Sequence, residues 1–235
     1  MPVDVTLRIK RFDPDRERKP HWGTYQVQVE ETDRVLDALH EVRWRHDGTL
    51  AFRRSCAHGV CGSDAMVING RNRLACVLLI QDVGHDITVE PLRGFDVRKD
   101  LVVDMRGFWD DLKSVKPWLT AGQGDPGDRE RRQSPGERHA YDDTTKCILC
   151  AACTTSCPVS WANPDFVGPA AIVNAHRFIF DSRDEATAER LKDLDRRNRV
   201  WGCRTAFNCT DACPRGIRVT QAIEEVKRAI VRGDG

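Results

Sequence analysis

Three cysteine-containing stretches decide how this chain folds: CAHGVCGSD at residues 56–64, CILCAACTTSCP at 147–158 and CRTAFNCTDACP at 203–214. Together with Cys76 they contain all ten cysteines of the 235-residue sequence. The cysteine spacing in each stretch is typical of iron–sulfur ligands, where closely spaced thiolates wrap one cluster. We therefore expect three iron–sulfur clusters, and a chain that conducts electrons.

The composition is that of a globular protein from a reducing compartment. The sequence is 40% hydrophobic and 31% charged, with a net charge of +1 that gives no argument for a nucleic-acid partner. No apolar run is long enough to span a membrane, and the N-terminus lacks the apolar region of a signal peptide. A secreted, disulfide-rich domain is the other common use of many cysteines. The crowding into C-x2-C units without a signal segment favours metal ligands and a cytoplasmic location.

Alternating apolar residues predict a sheet in the first part of the chain. Residues 3–9 and 25–29 alternate with the period of two expected of half-buried strands. A helix over 33–43, capped by Thr32, should follow. A hairpin over 65–80 is predicted from its apolar strands and its Asn-Gly turn.

The chain is predicted to form two domains. The first covers residues 1–105, and the second, where the apolar period becomes helical, covers residues 106–235. Residues 121–139 are rich in glycine, proline and mixed charge, which predicts an exposed connector within the second domain. Glycines at 122–127 match G-x-G-x-x-G. We do not interpret them as a nucleotide site, because no strand precedes them and no helix start follows.

The two C-terminal stretches are predicted to share ligands. In the run C-x2-C-x2-C-x3-C-P, the first three thiolates wrap one cubane and the fourth binds the other cluster. The predicted 4Fe–4S ligands are Cys147, Cys150, Cys153 and Cys213. The second run has Ala206 at its middle cysteine position, which leaves three thiolates, enough for a cubane that lacks one iron. The predicted 3Fe–4S ligands are Cys157, Cys203 and Cys209. Two structural zinc sites are the alternative, but the C-P ends and the crossed spacing favour clusters.

The N-terminal stretch departs from the usual four-cysteine pattern. The predicted 2Fe–2S ligands are Cys56, Cys61, Asp64 and Cys76. Plant-type ferredoxins have cysteine where this chain has Asp64. A carboxylate can ligate iron, although it is a harder ligand than thiolate. The alternative is that Asp64 only accepts hydrogen bonds; the three intact cysteine positions favour ligation. His58, inside the loop, is interpreted as facing solvent.

Over nearly its whole length the chain resembles the iron–sulfur subunit of succinate dehydrogenase and of its relative fumarate reductase. The matching residues are Ser55–Cys56, Cys61–Met66, Asn69–Gly70, Leu74–Cys76, Cys147–Cys150, Ser156–Pro158, Asn163–Pro164, Gly168–Ala170, Ser182–Asp184 and Asn208–Cys209. Some members of that family have aspartate at the position of Asp64. The resemblance implies an α+β protein: an N-terminal β-grasp domain of the plant-type ferredoxin kind, then a mostly α-helical, bacterial-ferredoxin-like domain.

The resemblance also implies an electron path. Succinate is oxidised at FAD in a flavoprotein subunit, so no catalytic residue is expected in this chain. Electrons would pass through the 2Fe–2S, 4Fe–4S and 3Fe–4S clusters to quinone, at the junction with membrane-anchor subunits. The chain would then lie on the cytoplasmic face of a bacterial inner membrane, held there by the anchors. The alternatives are a fumarate reductase subunit, working in reverse, and a free-standing ferredoxin-like carrier.

The quinone end is where the chain differs from its relatives. The residues predicted to line the quinone pocket are Pro158, Trp161 and Arg204. The Trp161 indole N–H could donate to a quinone oxygen, or the ring could simply pack at the membrane-facing edge. Relatives often have a second tryptophan where Ala162 stands and a histidine where Arg204 stands. Arginine is always charged, so Arg204 cannot relay a proton as histidine would.

Overall fold

A computed structural model gives the structure of residues 2–120 and 130–233, so the glycine motif at 122–127 lies outside the described residues. In chain order its elements are β1 (Pro2–Arg11), β2 (His21–Glu30), α1 (Val35–Glu41), a π-helical turn (Val42–His46), β3 (Ala65–Ile68), β4 (Arg71–Leu74), α2 (Ile80–Val83), β5 (Asp86–Glu90), β6 (Val97–Lys99), β7 (Val102–Val103), α3 (Arg106–Ser114), α4 (Pro135–His139), α5 (Ala152–Thr155), α6 (Pro158–Ala162), α7 (Gly168–Ile179), α8 (Thr187–Leu194), α9 (Asn208–Asp211) and α10 (Val219–Arg232). Short 3₁₀ turns cover Asp143–Lys146 and Val200–Gly202.

The chain groups into two compact units. The first consists of Met1–Met105 together with Ile148–Thr155, and the second of Arg106–Cys147 together with Ser156–Gly235. The short segment 148–155 thus belongs with the first unit, although it follows the connector in sequence. It is held on β4, where the Asn72 side-chain amide donates to the Ala152 carbonyl oxygen at 3.1 Å and to Thr155 Oγ1 at 2.9 Å.

The first unit is built on a mixed sheet of five strands in the order β2–β1–β5–β3–β4. The central strand β1 pairs antiparallel with β2 and parallel with β5. Its alternate residues Val5, Leu7 and Ile9 are fully buried, as the period of two predicts. Helix α1 buries Leu36 and Leu39 in the same unit. This sheet and helix confirm the predicted β-grasp domain.

Two local predictions are wrong in this unit. Helix α1 starts after Arg34 rather than at Thr32, because the Asp37 carboxylate accepts the Arg34 N–H at 3.0 Å and closes the first turn. The hairpin's second strand ends at Leu74 instead of continuing to residue 80. The first N–H groups of α1 donate to the carbonyl oxygens of residues 75 and 78. These carbonyl groups therefore face the helix and not a neighbouring strand.

The second unit is helical, as predicted. Helix α7 starts at Gly168–Pro169, is buried along nearly all its length, and packs against α3, α8 and α10. The predicted connector is not wholly irregular: its described part contains α4, where Ser134 and Glu137 form a capping box. Among the residues described, no helix is both long and apolar enough to cross a membrane.

Candidate iron–sulfur ligand sites

The loop after Cys56 turns its backbone N–H groups towards the Cys56 sulfur. The N–H groups of His58, Val60 and Cys61 donate to Cys56 Sγ, with N···S distances of 3.5, 3.4 and 3.3 Å. The hydrogen bonds from His58 and Val60 lower the pKa of the Cys56 thiol to about 7. Since the thiolate is the form that binds metal, this loop favours a ligating sulfur. The His58 ring is exposed, with Nδ1 at 2.6 Å from the Cys56 carbonyl oxygen, as interpreted from the sequence.

Asp64 and Cys76 form the inner side of the same loop. Asp64 is only 2% exposed, and its Oδ2 accepts the Cys76 N–H at 2.6 Å. Burial, and then the neighbouring Asp64 carboxylate, raise the pKa of the Cys76 thiol to about 12. A cation bound between a buried carboxylate and a buried thiol would be stabilised by both. The pair therefore fits an iron site.

Gly62 brings the N-terminal loop against the segment that contains Cys150. Its φ is +68°, and a Cβ built on it would lie 2.6 Å from Cys150 Cβ and 3.0 Å from the Ile148 carbonyl oxygen. Only glycine combines this backbone conformation with such close approach. The first unit thus places Cys150, a predicted 4Fe–4S ligand, directly beside the loop of the predicted 2Fe–2S ligands.

Cys157, Cys203 and Cys209 line a single cavity in the second unit. Ala206 and Thr205 line it too, and the Thr205 N–H donates to Cys203 Sγ at 3.4 Å. Burial raises the pKa of the Cys209 thiol, and the nearby Cys203 and Cys157 raise it further. Three sulfurs around one space fit a group of several irons and sulfides. In the described part of the chain no three His, Cys, Asp or Glu side chains are arranged around the position of a single metal ion.

The predicted 4Fe–4S ligands are distributed over both units. Cys150 and Cys153 lie in the segment 148–155 of the first unit, and Cys147 and Cys213 lie in the second. Within the second unit, the Asn174 side-chain amide donates to Cys147 Sγ at 3.5 Å and to the Ala170 carbonyl oxygen at 2.8 Å. The sequence reasoning missed Asn174. The available signal was a polar residue in the middle of the apolar run that forms α7.

The predicted quinone residues lie at or near the three-cysteine cavity. Pro158 is the first residue of α6, directly after Cys157, and it lines the cavity together with Arg204. Trp161, further along α6, is 52% exposed. Phe207, which the sequence reasoning also missed, lines the cavity and is 55% exposed. This edge of the second unit therefore presents large apolar side chains beside three thiols.

Comparison with known proteins gives matches to both parts of the chain. A family described as "2Fe-2S iron-sulfur cluster binding domain" matches residues 6–110, and one described as "4Fe-4S dicluster domain" matches residues 139–214. The succinate dehydrogenase iron-sulfur subunit of Coxiella burnetii is 42% identical over 97% of both chains. That of Paracoccus denitrificans is 43% identical over 96% of this chain and 87% of its own. A chain of the Mycobacterium smegmatis Sdh1 complex in the apo form superposes with a TM-score of 0.89, at 26% identity, covering 99% of this chain and 98% of that one.

We expect Gly62→Ala to disrupt the N-terminal ligand loop. The new Cβ would collide with the Cys150 Cβ and the Ile148 carbonyl oxygen, neither of which is the end of a flexible side chain. The loop must therefore shift, and its N–H groups would no longer point at Cys56 Sγ. EPR of the reduced protein, with iron analysis, should show a severalfold loss of the 2Fe–2S signal.

Gly70→Ala is the matched control for this variant. Gly70 also has a positive φ, +77°, but a Cβ there meets no atom within 4 Å. It should show only the cost of the left-handed backbone, about 1–2 kcal/mol, as a lower melting temperature with the 2Fe–2S signal intact. An equal loss of signal in the two variants would contradict the role of the close approach.

Asn174→Ala is expected to lower the midpoint potential of the 4Fe–4S cluster. An amide N–H donated to Cys147 Sγ stabilises the extra negative charge of the reduced state. A net hydrogen bond of about 1 kcal/mol corresponds to on the order of 40 mV for one electron. A potentiometric titration followed by EPR measures the shift, and the potential of the cluster predicted at Cys157, Cys203 and Cys209 is the internal control in the same sample. An unchanged or higher 4Fe–4S potential would show that the bond does not act on the cluster.

Proposed function

The chain belongs to the family of succinate dehydrogenase iron–sulfur subunits, and we propose that it conducts electrons from the FAD of a flavoprotein partner, through 2Fe–2S, 4Fe–4S and 3Fe–4S clusters, to quinone. Family membership makes it an electron-transfer subunit of a multi-subunit oxidoreductase. The names of its relatives support succinate oxidation over the reverse reaction. They also describe a subunit, which supports a complex over a free-standing carrier.

The grouping of thiols around one cavity carries this proposal. The proposed 3Fe–4S ligands are Cys157, Cys203 and Cys209. The proposed 4Fe–4S ligands are Cys147, Cys150, Cys153 and Cys213. The proposed 2Fe–2S ligands are Cys56, Cys61, Asp64 and Cys76. The first of these sets has its three thiols at one cavity together with an alanine, Ala206. That composition supports a cluster with one iron fewer at the end of the series.

When bound, these clusters supply one-electron transfer at potentials that the surrounding protein adjusts. The chain's own residues do the adjusting. The backbone N–H groups of His58, Val60 and Cys61 offset negative charge on Cys56, and the Asn174 amide does the same at Cys147. Thr220 Oγ1 lies 3.5 Å from Cys209 Sγ, where a hydroxyl can donate to the sulfur. Each site therefore has a local donor that stabilises added negative charge.

We place quinone reduction at the three-cysteine cavity of the second unit. Pro158 and Arg204 line that cavity, and the exposed Trp161 follows in α6. In this proposal Trp161 donates its indole N–H to a quinone oxygen, and Arg204 supplies a fixed positive charge that favours a reduced, anionic quinone. The same edge would meet membrane-anchor subunits, which would hold the chain peripherally on the cytoplasmic face of a bacterial inner membrane.

EPR of the assembled complex tests the function. The oxidised complex should give one 3Fe–4S signal, and succinate or dithionite should produce the reduced 2Fe–2S signal. Quinone added to the succinate-reduced complex should then restore the oxidised signals. A colourless protein that contains zinc and has no 3Fe–4S signal would contradict the proposal, as would clusters that succinate does not reduce.

Ala206→Cys tests the assignment of the three-iron site. A thiolate at this position, which lines the cavity with the three cysteines, would supply the missing fourth ligand. We expect the oxidised 3Fe–4S signal to fall and a second 4Fe–4S signal to appear on reduction. Ala206→Ser is the control, because serine is similar in size to cysteine but is a weaker ligand for iron. In this variant a smaller fraction of the 3Fe–4S cluster should convert to 4Fe–4S. Retention of the full 3Fe–4S signal in the cysteine variant would mean that this ligand set is wrong.

A further inference from the structure

A buried histidine of α7 is paired with a carboxylate of α10. The His176 side chain is 3% exposed, and its Nε2 lies 2.8 Å from Glu225 Oε2. Burial opposes ionisation of Glu225, but hydrogen bonds from Gln221 and His176 hold its pKa below the usual value, so this carboxyl is charged. Because a carboxylate accepts hydrogen bonds and cannot donate them, we assign the hydrogen of this bond to Nε2.

The other ring nitrogen of His176 faces Thr144. Nδ1 lies 3.3 Å from Thr144 Oγ1, and the Thr144 hydroxyl donates to the Tyr141 carbonyl oxygen at 2.9 Å. Since its hydrogen is used in that bond, Thr144 Oγ1 turns a lone pair towards the ring and can accept a hydrogen from Nδ1. The pocket therefore provides an acceptor at each ring nitrogen. A neutral ring fills one of these acceptors, and a doubly protonated ring fills both.

Thr144 also connects His176 to an iron–sulfur ligand. It lies in the 3₁₀ turn Asp143–Lys146, directly before Cys147, and its carbonyl oxygen accepts the Cys147 N–H at 3.3 Å. On α7, Asn174 donates to Cys147 Sγ from a position two residues before His176. The turn and the helix thus hold His176 and Cys147 in the same part of the second unit. Charges in such a buried region act on each other with little screening by water.

The charges around His176 favour a positive ring, although its burial does not. Burial lowers the pKa of His176, while Glu225 from α10 and Asp143 from the 3₁₀ turn oppose this effect. Among the residues described, the charged groups that act on this pKa are thus both carboxylates. The groups on the other elements packed against α7 are already paired or lie beside an opposite charge. They are Lys146 and Arg218, which pair with Asp143, Arg190 of α8, which pairs with Asp184, and the half-buried Asp111 of α3, which lies near Arg199.

We propose that His176 takes up a proton when the cluster at Cys147 gains an electron. This inference rests on the proposed function, which supplies the electron, and it adds a proton-binding residue to the 4Fe–4S step. One electron enters the cluster, and one N–H bond forms at His176 Nδ1. The proton comes from solvent, to which the Glu225 side chain is 31% exposed. Since the two added charges cancel, reduction leaves no new net charge in this buried region. His176 is a positioning residue, because it acts on the cluster through its charge.

A 4Fe–4S midpoint potential that depends on pH is the expected signature. A protonated His176 stabilises the reduced cluster, so the potential is highest at low pH. It falls as the pH rises through the two pKa values that His176 has with the oxidised and the reduced cluster. By reciprocity, reduction raises the proton affinity of His176 by the same factor as protonation favours reduction. We expect a factor of about tenfold, which corresponds to a total fall of about 59 mV for one electron. The lower of the two pKa values lies below 6.5.

The test is a potentiometric titration of the whole complex, followed by EPR, at several values between about pH 5 and about pH 8. His176→Gln still donates to Glu225 but cannot take up a proton, so its 4Fe–4S potential should be the same at every pH. Glu225→Gln removes a carboxylate that favours the charged ring, and should move the fall to lower pH. His139→Gln is the matched control. His139 is an exposed histidine of the same unit, at the end of α4, and its variant should keep the wild-type pH dependence.

Each outcome has a defined meaning. Iron content and the reduced 4Fe–4S signal show whether a variant has folded. If His176→Gln loses the cluster, the position of the fall in Glu225→Gln decides the question. A wild-type 4Fe–4S potential that is independent of pH overturns the inference, as does a fall of wild-type size in folded His176→Gln. A fall that disappears in His139→Gln as well also overturns it. A wild-type complex without any 4Fe–4S signal would instead overturn the proposed function.

Discussion

Negative charge on partly buried sulfur is the constraint on which the rest of this structure depends. A thiolate that is withdrawn from water needs hydrogen-bond donors or a cation nearby. Backbone N–H groups are the most compact donors available, but a chain in regular structure has already used them. The loop that follows Cys56 therefore leaves helix and strand geometry. At Cys56 the result is three N–H groups directed at one sulfur and a pKa of about 7.

The same constraint explains the backbone conformations of the loops. Among the residues described, eight non-glycine residues have positive φ, and five of them lie in the three cysteine stretches. They are Ala57, Leu149, Ala151, Thr205 and Phe207. Each left-handed residue costs roughly 1–2 kcal/mol in isolation. Such conformations persist where surrounding interactions over-determine them, which is common at functional sites. After Ala57 the N–H groups of His58, Val60 and Cys61 point at Cys56 Sγ, and the N–H of Thr205 points at Cys203 Sγ.

The sequence predicts the ligand sets because cluster ligation is local. Spacing of two to four residues between cysteines has few other uses, and Cys157, Cys203, Cys209 and Ala206 line one cavity. What the sequence does not predict depends on tertiary contacts. Asn174 lies 27 positions from the sulfur it reaches. The strand that was expected to continue from Leu74 to residue 80 does not form, because N–H groups of α1 donate to the carbonyl oxygens of residues 75 and 78. Residue propensities and the spacing of apolar residues describe the structure that a segment prefers by itself. They do not report a hydrogen-bond partner that comes from elsewhere in the chain.

Gly62 shows how one tertiary contact joins two ligand sets that are distant in sequence. The segment 148–155 follows the connector, yet it belongs to the first unit, anchored on β4 by Asn72. This anchoring places Cys150 against Gly62. The space between them is so small that a Cβ on residue 62 would lie 2.6 Å from Cys150 Cβ. Electron transfer between neighbouring clusters is faster when their ligands lie close together, and a glycine at this contact permits a closer approach than a residue with a Cβ would. Because the contact lies within one compact unit, it does not depend on how the rest of the second domain is placed. The contact between Gly62 and Cys150 is therefore made inside the unit that contains the five-stranded sheet.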